Sequence, residues 1–190
     1  MNTAVLAPTD TTRSAAIIAG VGLAAMAVLA PIAVFAAAPA GLTALAGLII
    51  LLVVVLDVIV AYALSAALDP QGGILARVTT GLRLVYAAAF AVAATQLVAG
   101  DEAAFQTIWD AALLVFAAHL LAVALLGWRT RALPWWVSVL VAIAGLGYLI
   151  DALAPLFTLG FEVSTVSFVG EVALLLYLLI RGGRPAARKG

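Results

Sequence analysis

The sequence predicts an all-α polytopic membrane protein, a bundle of six transmembrane helices in a single domain over residues 1–190, with both termini in the cytoplasm. Of the 190 residues, 67% are hydrophobic and 9% are charged, whereas a soluble domain is about 45–50% apolar and about 25% charged. Six apolar segments reach the length of roughly 20 residues that a membrane helix needs. The same composition excludes disordered and nucleic-acid-binding proteins.

Short polar or Gly/Pro-containing breaks separate the six apolar segments. The clearest break is the turn at 69–73 (DPQGG), because Pro and paired Gly end helices. The segments lack the sustained alternation of apolar and polar residues that barrel strands show. We expect spans at about 15–38, 41–68, 74–98, 105–126, 134–157 and 161–180, followed by a short basic cytoplasmic tail at 181–190.

The first span has one alternative interpretation, a cleaved signal peptide. Three alanines at 36–38 precede Pro39, and a signal peptidase recognises small residues at such a position. The apolar stretch, however, is longer than the ~7–15 residues of a signal core. We therefore expect the first span to be retained.

The positions of the basic residues predict the orientation. All nine Lys and Arg residues fall on one side of the predicted bundle: Arg13 precedes the first span, for example, and Arg129 and Arg131 join the fourth to the fifth. The charged residues in the loops on the opposite side are all acidic, and Asp101 is one of them. Cytoplasmic loops carry the excess of Lys and Arg, so both termini are predicted to be cytoplasmic.

Tryptophans mark the two predicted membrane boundaries. Trp128, Trp135 and Trp136 cluster beside the basic loop, and Trp109 lies near the other end of the fourth span. Tryptophan is enriched at both membrane–water interfaces. We therefore expect all four side chains at the interfaces.

Four ionisable residues are predicted to share one layer inside the bundle. Asp57 and Arg83 lie at equal distances in sequence from Pro70, so an antiparallel hairpin places them at the same depth, roughly 14–16 Å from the cytoplasmic end. His119 and Glu171 fall at about that depth in the fourth and sixth spans. Charges within a bilayer are costly and usually pair with one another. An Asp57–Arg83 ion pair with His119 and Glu171 close by is therefore predicted.

The layer has a functional and a structural interpretation. Protonation of His119 would bring the net charge of the layer, with its two carboxylates and one arginine, to zero. Such an arrangement is suited to proton-linked transport. Alternatively, the network fixes the helix register and does nothing more. A second, outer group is predicted from Tyr148, Asp151 and Asp110, of which the two aspartates could simply reach interfacial water.

Several kinds of chemistry have no support in the sequence. The chain has no cysteine, which excludes disulfides, thiolate metal sites and cysteine nucleophiles. One histidine cannot supply two axial ligands to haem, and no HExxH, P-loop or GxSxG pattern occurs. His119, Asp57 and Glu171 are metal-ligating types, but the fixed charge of Arg83 opposes a cation there. We expect no metal, no cofactor and no catalytic residue.

The second half of the chain carries a resemblance to a known family. The residues that carry it are His119, Gly127, Trp128, Pro134, the run 144–151 (AGLGYLID), the pair Gly170 and Glu171, and Arg181. They resemble the bacterial domain-of-unknown-function 4386 family, and Asp57 and the stretch 83–85 are similar to its second and third spans. The resemblance covers nearly the whole chain. It implies a multi-pass protein of the bacterial inner membrane and brings no established activity.

Three functions remain open after the sequence is considered. A small proton-linked transporter or channel-like protein is favoured by several ionisable groups at one depth. A structural or accessory subunit, packed against another membrane protein or a second copy of itself, is favoured by short loops and many small residues. An intramembrane enzyme acting on a lipid or quinone is the third. The sequence specifies neither substrate nor oligomeric state, and the lipid bilayer is the one partner that it predicts directly.

Overall fold

A computed structural model describes residues 9–154 and 168–182, with side chains from residue 11 onward, and these two ranges are entirely helical apart from short turns. No strand occurs within them. The helices are α1 (Thr9–Pro31, continued by a π-helical segment Ile32–Ala37), α2 (Thr43–Leu68), α3 (Ile74–Val98), α4 (Glu102–Thr130), α5 (Trp135–Leu153) and α6 (Val169–Arg181). The chain is therefore a polytopic helical membrane protein.

Five of these helices are long and apolar enough to cross a membrane. They are α1 with its π-helical segment and α2 to α5, and they lie at the first five predicted spans. The sixth predicted span, 161–180, is described only from residue 168, where it forms α6. The fifth helix is described as far as Leu153, within the fifth predicted span at 134–157. Residues 155–167, which include the end of the fifth predicted span and the start of the sixth, lie outside the described residues. The basic tail from residue 183 onward lies outside them as well.

Two turns show why the helices begin and end where they do. In the α2–α3 turn, the carboxylate of Asp69 accepts hydrogen bonds from the backbone N–H groups of Gln71 (3.2 Å) and Gly73 (2.9 Å). Gly72 adopts φ 65° in the same turn, a conformation that glycine takes without strain. At the start of α4, Asp101 accepts from the backbone N–H of Ala104 at 2.9 Å and caps the helix. The predicted hairpin about Pro70 is thus held by its own side chains.

The six helices form a closed ring. Each helix packs against its neighbours in the sequence, and α6 packs against both α5 and α1. Glycines permit the close approaches: a methyl group at Gly145 would lie 3.1 Å from the carbonyl oxygen of Ala117 on α4, and one at Gly170 would overlap the carbonyl oxygen of Leu140 on α5. Small residues serve this purpose in membrane bundles. A ring of six helices leaves a space along its axis.

The outer surface of the ring is apolar, as lipid contact requires. Large hydrophobic side chains such as Leu48 (59% exposed) and Val55 (55% exposed) point away from the bundle. A soluble monomer rarely exposes apolar patches on this scale. Trp128 and Trp135 are also exposed near the Arg129 end, as expected for an interfacial belt.

Trp109 is half-buried and does not simply face lipid. Its ring packs inside the bundle, 5.1 Å from the ring centroids of both Phe90 and Phe105. Position along the helix suggested an interface, but the rotation of the residue about the α4 axis turns it towards α3. Three aromatic rings thus fill the space between these helices.

Candidate functional site

An ion pair lies at the centre of the bundle between α2 and α3. Nη2 of Arg83 is 2.6 Å from Oδ1 of Asp57, and both side chains are 3% exposed. The hairpin produces this contact, because antiparallel helices joined at Pro70 bring residues equidistant from the turn to the same depth. The predicted contact between the two charges is present.

His119 extends the ion pair onto α4. Nη1 of Arg83 lies 3.1 Å from Nε2 of His119, and Nδ1 of His119 lies 3.0 Å from the backbone oxygen of Thr79. A guanidinium can only donate and a backbone carbonyl can only accept. Nε2 must therefore accept from Arg83 while Nδ1–H donates to Thr79, which assigns the imidazole to the neutral Nδ1–H tautomer.

This assignment changes the role expected of His119. One of the two interpretations drawn from the sequence has the imidazole take up a proton within the layer. In the structure, the nitrogen that would receive that proton already accepts from Arg83, so a second N–H there would face a donor. Phe116 stacks against the imidazole at 5.9 Å and lies 5.8 Å from Cζ of Arg83. The surroundings of His119 favour a group that positions Arg83.

Glu171 makes a hydrogen bond to a residue of the predicted outer group. Its Oε1 accepts a hydrogen bond of 2.7 Å from the hydroxyl of Tyr148 on α5. Gly170, the preceding residue, is the point at which α6 approaches the α5 backbone, so this close packing places the carboxyl group beside Tyr148. Glu171 also interacts electrostatically with Arg83 and Asp57, so it joins the predicted inner layer to Tyr148 of the predicted outer group.

The other two members of the outer group lie nearer the end of the bundle. Asp110 is exposed and accepts a hydrogen bond of 2.7 Å from Nε2 of Gln106, one turn earlier on α4. Asp151 is half-buried in the last turn of α5. Tyr148 and Asp110 therefore make their side-chain hydrogen bonds to different partners.

One cavity connects the two predicted groups. It has a volume of about 940 Å³, and all six helices contribute to its wall. It extends from Asp57 and Arg83 at mid-bundle to Gln106 and Phe35 at the end of the bundle that holds the α3–α4 turn. We call it the central cavity. Its ionisable lining residues among those described are Asp57, Arg83, Tyr86, Asp110, Tyr148, Asp151 and Glu171.

Aromatic rings form one wall of the central cavity. Tyr86 lies 4.7 Å from Phe116, and Phe116 lies 5.2 Å from Tyr148, measured between ring centroids. Phe90 and Trp109 continue this wall towards the open end. Tyr86, Phe90 and Phe116 were not among the candidate residues predicted from the sequence. Helical spacing was the available signal, since 86 and 90 follow Arg83, and 109 and 116 precede His119, on the same helix faces.

The described residues hold no group of three or more His, Asp or Glu side chains arranged to bind a metal ion. Asp57 contacts Arg83, whose positive charge occupies the position that a cation would need. His119 offers its one free lone pair to the same guanidinium. Both side chains are therefore committed to Arg83.

The fold and the site together define a polytopic membrane protein with a polar and aromatic cavity at its centre. The model of the domain of unknown function DUF4386 matches residues 102–182, which include α4, α5 and α6. A relative from Archaeoglobus fulgidus, described as an uncharacterized protein, is 34% identical over 133 residues, which are 70% of this chain and 81% of the relative. The chain belongs to the DUF4386 family. No solved structure matches it significantly.

Proposed function

We propose that this protein is a small proton-linked solute transporter whose binding site is the central cavity. The observation that carries the proposal is the extent of this cavity, which reaches from one end of the bundle to a buried ion pair at mid-depth. Transporters bind their solutes near the bilayer midplane, between helices that can move relative to one another. Ionisable residues inside a membrane mark such pathways more often than not.

The carboxyl groups of the cavity are the best candidates for proton exchange. Glu171 and Asp57 line the cavity, whereas His119 lies behind Arg83 and is 1% exposed. Protonation of Asp57 would weaken its pairing with Arg83 and so couple a proton to the α2–α3 contact. We therefore assign the proton link to these carboxyl groups and a positioning role to His119.

The orientation of the transporter follows from its charges. The described arginines other than Arg83 lie at the ends of the helices opposite the open end of the cavity. By the positive-inside rule, the cavity opens away from the cytoplasm in the outward-facing protein. We place the protein in the inner membrane of a bacterial cell, as one six-span domain with both termini in the cytoplasm.

Accessibility of single cysteines tests the proposal, since the chain has no cysteine of its own. Leu113 lines the cavity, and the adjacent Leu114 is 45% exposed on the lipid-facing surface. Leu113→Cys should react with a membrane-impermeant methanethiosulfonate added to either face of sealed vesicles, because alternating access opens the site to both sides. Leu114→Cys, the matched control, should stay unreactive from both sides.

Two results would contradict transport. Reaction of Leu113→Cys from one face alone would indicate a closed pocket, as expected for an enzyme or an accessory subunit. Equal inertness of Leu113→Cys and Leu114→Cys would show that the cavity is closed to water from both sides.

A further inference from the structure

The carboxyl groups lining the central cavity outnumber its basic groups. Among the described residues, Asp57, Asp110, Asp151 and Glu171 line it, against the guanidinium of Arg83. A cleft lined by one sign of charge, with low-dielectric walls, concentrates ions of the opposite sign.

Arg83 is not available to an anion. Its two terminal nitrogens point at Asp57 (2.6 Å) and His119 (3.1 Å), and its Nε, which has no hydrogen-bond partner among the described residues, is buried away from the cavity space. The negative charge of Asp57 compensates its positive charge at contact distance. Glu171 and Asp110 instead accept from the neutral groups of Tyr148 and Gln106. The cavity therefore offers acceptors and negative charge to a ligand.

The aromatic wall suits a cation with an apolar body. Tyr86, Phe90, Trp109, Phe116 and Tyr148 line the same cavity as the carboxyl groups. Aromatic faces attract cations, most strongly when water is excluded, and they pack equally well against hydrocarbon. Phe116 already lies 5.8 Å from one cation, the guanidinium of Arg83. The cavity volume of about 940 Å³ matches that of sites for drug-sized molecules.

We infer that the central cavity binds a monovalent organic cation with an apolar body. This inference rests on the proposed function, because it names the class of solute that the transporter carries. The carboxyl groups attract the charge, and the aromatic wall contacts the body. Exchange of the cation against protons on the same carboxyl groups would couple transport of the cation to transport of protons.

Direct binding of a permanently charged probe tests the inference. Labelled tetraphenylphosphonium should bind saturably to the purified full chain in detergent, with one molecule per chain. Tetraphenylborate, which has nearly the same size and shape and the opposite charge, should not displace it. The borate partitions into apolar phases at least as readily, so displacement by both ions alike would indicate unspecific hydrophobic binding and overturn the inference.

Two variants and two matched controls assign the binding to the cavity. Glu171→Gln keeps an acceptor for Tyr148 but removes the charge, and Trp109→Leu removes an aromatic face; each should weaken binding by about tenfold. The controls are Glu102→Gln, an exposed carboxyl group on α4 outside the cavity, and Trp135→Leu, an exposed tryptophan at the opposite end. Unchanged affinity in both cavity variants would overturn the inference.

The charge of the thiol reagent distinguishes two outcomes, a failure of this inference and a failure of the transport proposal. Leu113→Cys should react at least about tenfold faster with a trimethylammonium-ethyl than with a sulfonatoethyl methanethiosulfonate, relative to a free thiol in solution. Reaction with both at the free-thiol ratio would contradict cation selectivity and leave the transport proposal standing. Tetraphenylphosphonium binding with access from one face only would support the inference and contradict transport.

Discussion

Arg83 connects three helices through one side chain. It donates to Asp57 on α2 and to His119 on α4, and it lies against the face of Phe116. A guanidinium is planar and presents several donors in fixed directions, which a lysine cannot reproduce. This residue therefore sets the relative positions of α2, α3 and α4 at mid-membrane, next to the end of the central cavity.

Removal of either charge of the central ion pair should destabilise the protein strongly. Asp57→Asn and Arg83→Gln should each lower the free energy of unfolding by about 3–5 kcal/mol, because the remaining partner is left as an uncompensated buried charge. The double variant should lose less than the sum of the two single losses. Unfolding in mixed micelles with increasing dodecyl sulfate measures the free energy of unfolding of the wild type, the two single variants and the double variant.

Arg77 provides the control for this double-mutant cycle. It lies on the same helix as Arg83 but is exposed, and its Nη1 donates to the backbone oxygen of Gly72. Arg77→Gln should change stability by no more than about 0.5 kcal/mol. Additive losses at Asp57 and Arg83 would show that the two charges do not stabilise each other.

The tautomer of His119 can be observed directly, because the chain contains one histidine. Nitrogen-15 spectra of histidine-labelled protein at neutral pH should show a bonded proton on Nδ1 and none on Nε2. The reason is that Arg83 and Thr79 fix opposite hydrogen-bonding roles for the two nitrogens. A proton on both nitrogens would contradict the assignment and return His119 to the proton pathway.

At the scale of elements, α1 departs from regular geometry where it borders the central cavity. Pro31 has no N–H to donate, and the turns after it are wider, with a hydrogen bond of 3.0 Å from the N–H of Ala38 to the oxygen of Ala33. Pro31 and Phe35 both line the cavity. Wide turns of this kind occur often at functional sites, and this one lies at the open end.

The contact between α5 and α6 depends on a glycine. Gly170→Ala should destabilise the protein by about 1–3 kcal/mol, because the added methyl group meets the backbone of Leu140, which cannot rotate away. Gly81→Ala on α3 is the matched control. No atom lies within 4 Å of a methyl group at Gly81, and alanine favours helix by about 1 kcal/mol over glycine.

The same unfolding assay measures both glycine variants. Gly81→Ala should leave the protein as stable as the wild type or slightly more stable. A loss at Gly81 as large as the loss at Gly170 would show that the effect does not come from the α5–α6 contact.

At the scale of the whole molecule, the two ends of the helix bundle differ in their residues. One end carries the exposed arginines and tryptophans, and the other carries the open end of the cavity with Asp101 and Glu102. Because α4 rises about 1.5 Å per residue, its two termini lie roughly 40 Å apart. This distance exceeds the roughly 30 Å of hydrocarbon in a bilayer.

Labelling of single cysteines at the two ends of α4 should give opposite sides. Glu102→Cys and Arg129→Cys are suited to this, since they leave the cap Asp101 and the left-handed residue Arg131 (φ 57°) unchanged. In intact cells an impermeant maleimide should label Glu102→Cys, and Arg129→Cys should react only after the membrane is opened. Labelling of both positions in intact cells would contradict the orientation, and so would the reversed pattern.

The sequence by itself determined the position of each residue along its helix axis. The length of an apolar segment and the distance of a residue from a helix end are local features, so the positions of the first five spans and the shared depth of Asp57 and Arg83 followed from the chain alone. The contact between these two residues followed as well, because a tight turn at Pro70 makes their helices neighbours. The fold class was predictable for the same reason.

Only the tertiary structure decided how the residues are distributed around the ring. One residue advances a side chain by about 100° around its helix, so equal depth does not specify a partner. The hydrogen bond from Tyr148 to Glu171 and the packing of Trp109 against Phe90 both depend on the positions of these residues around their helices. The packing of α6 against α1 closes the ring and creates the cavity, and that contact joins segments far apart in sequence, which no local pattern encodes.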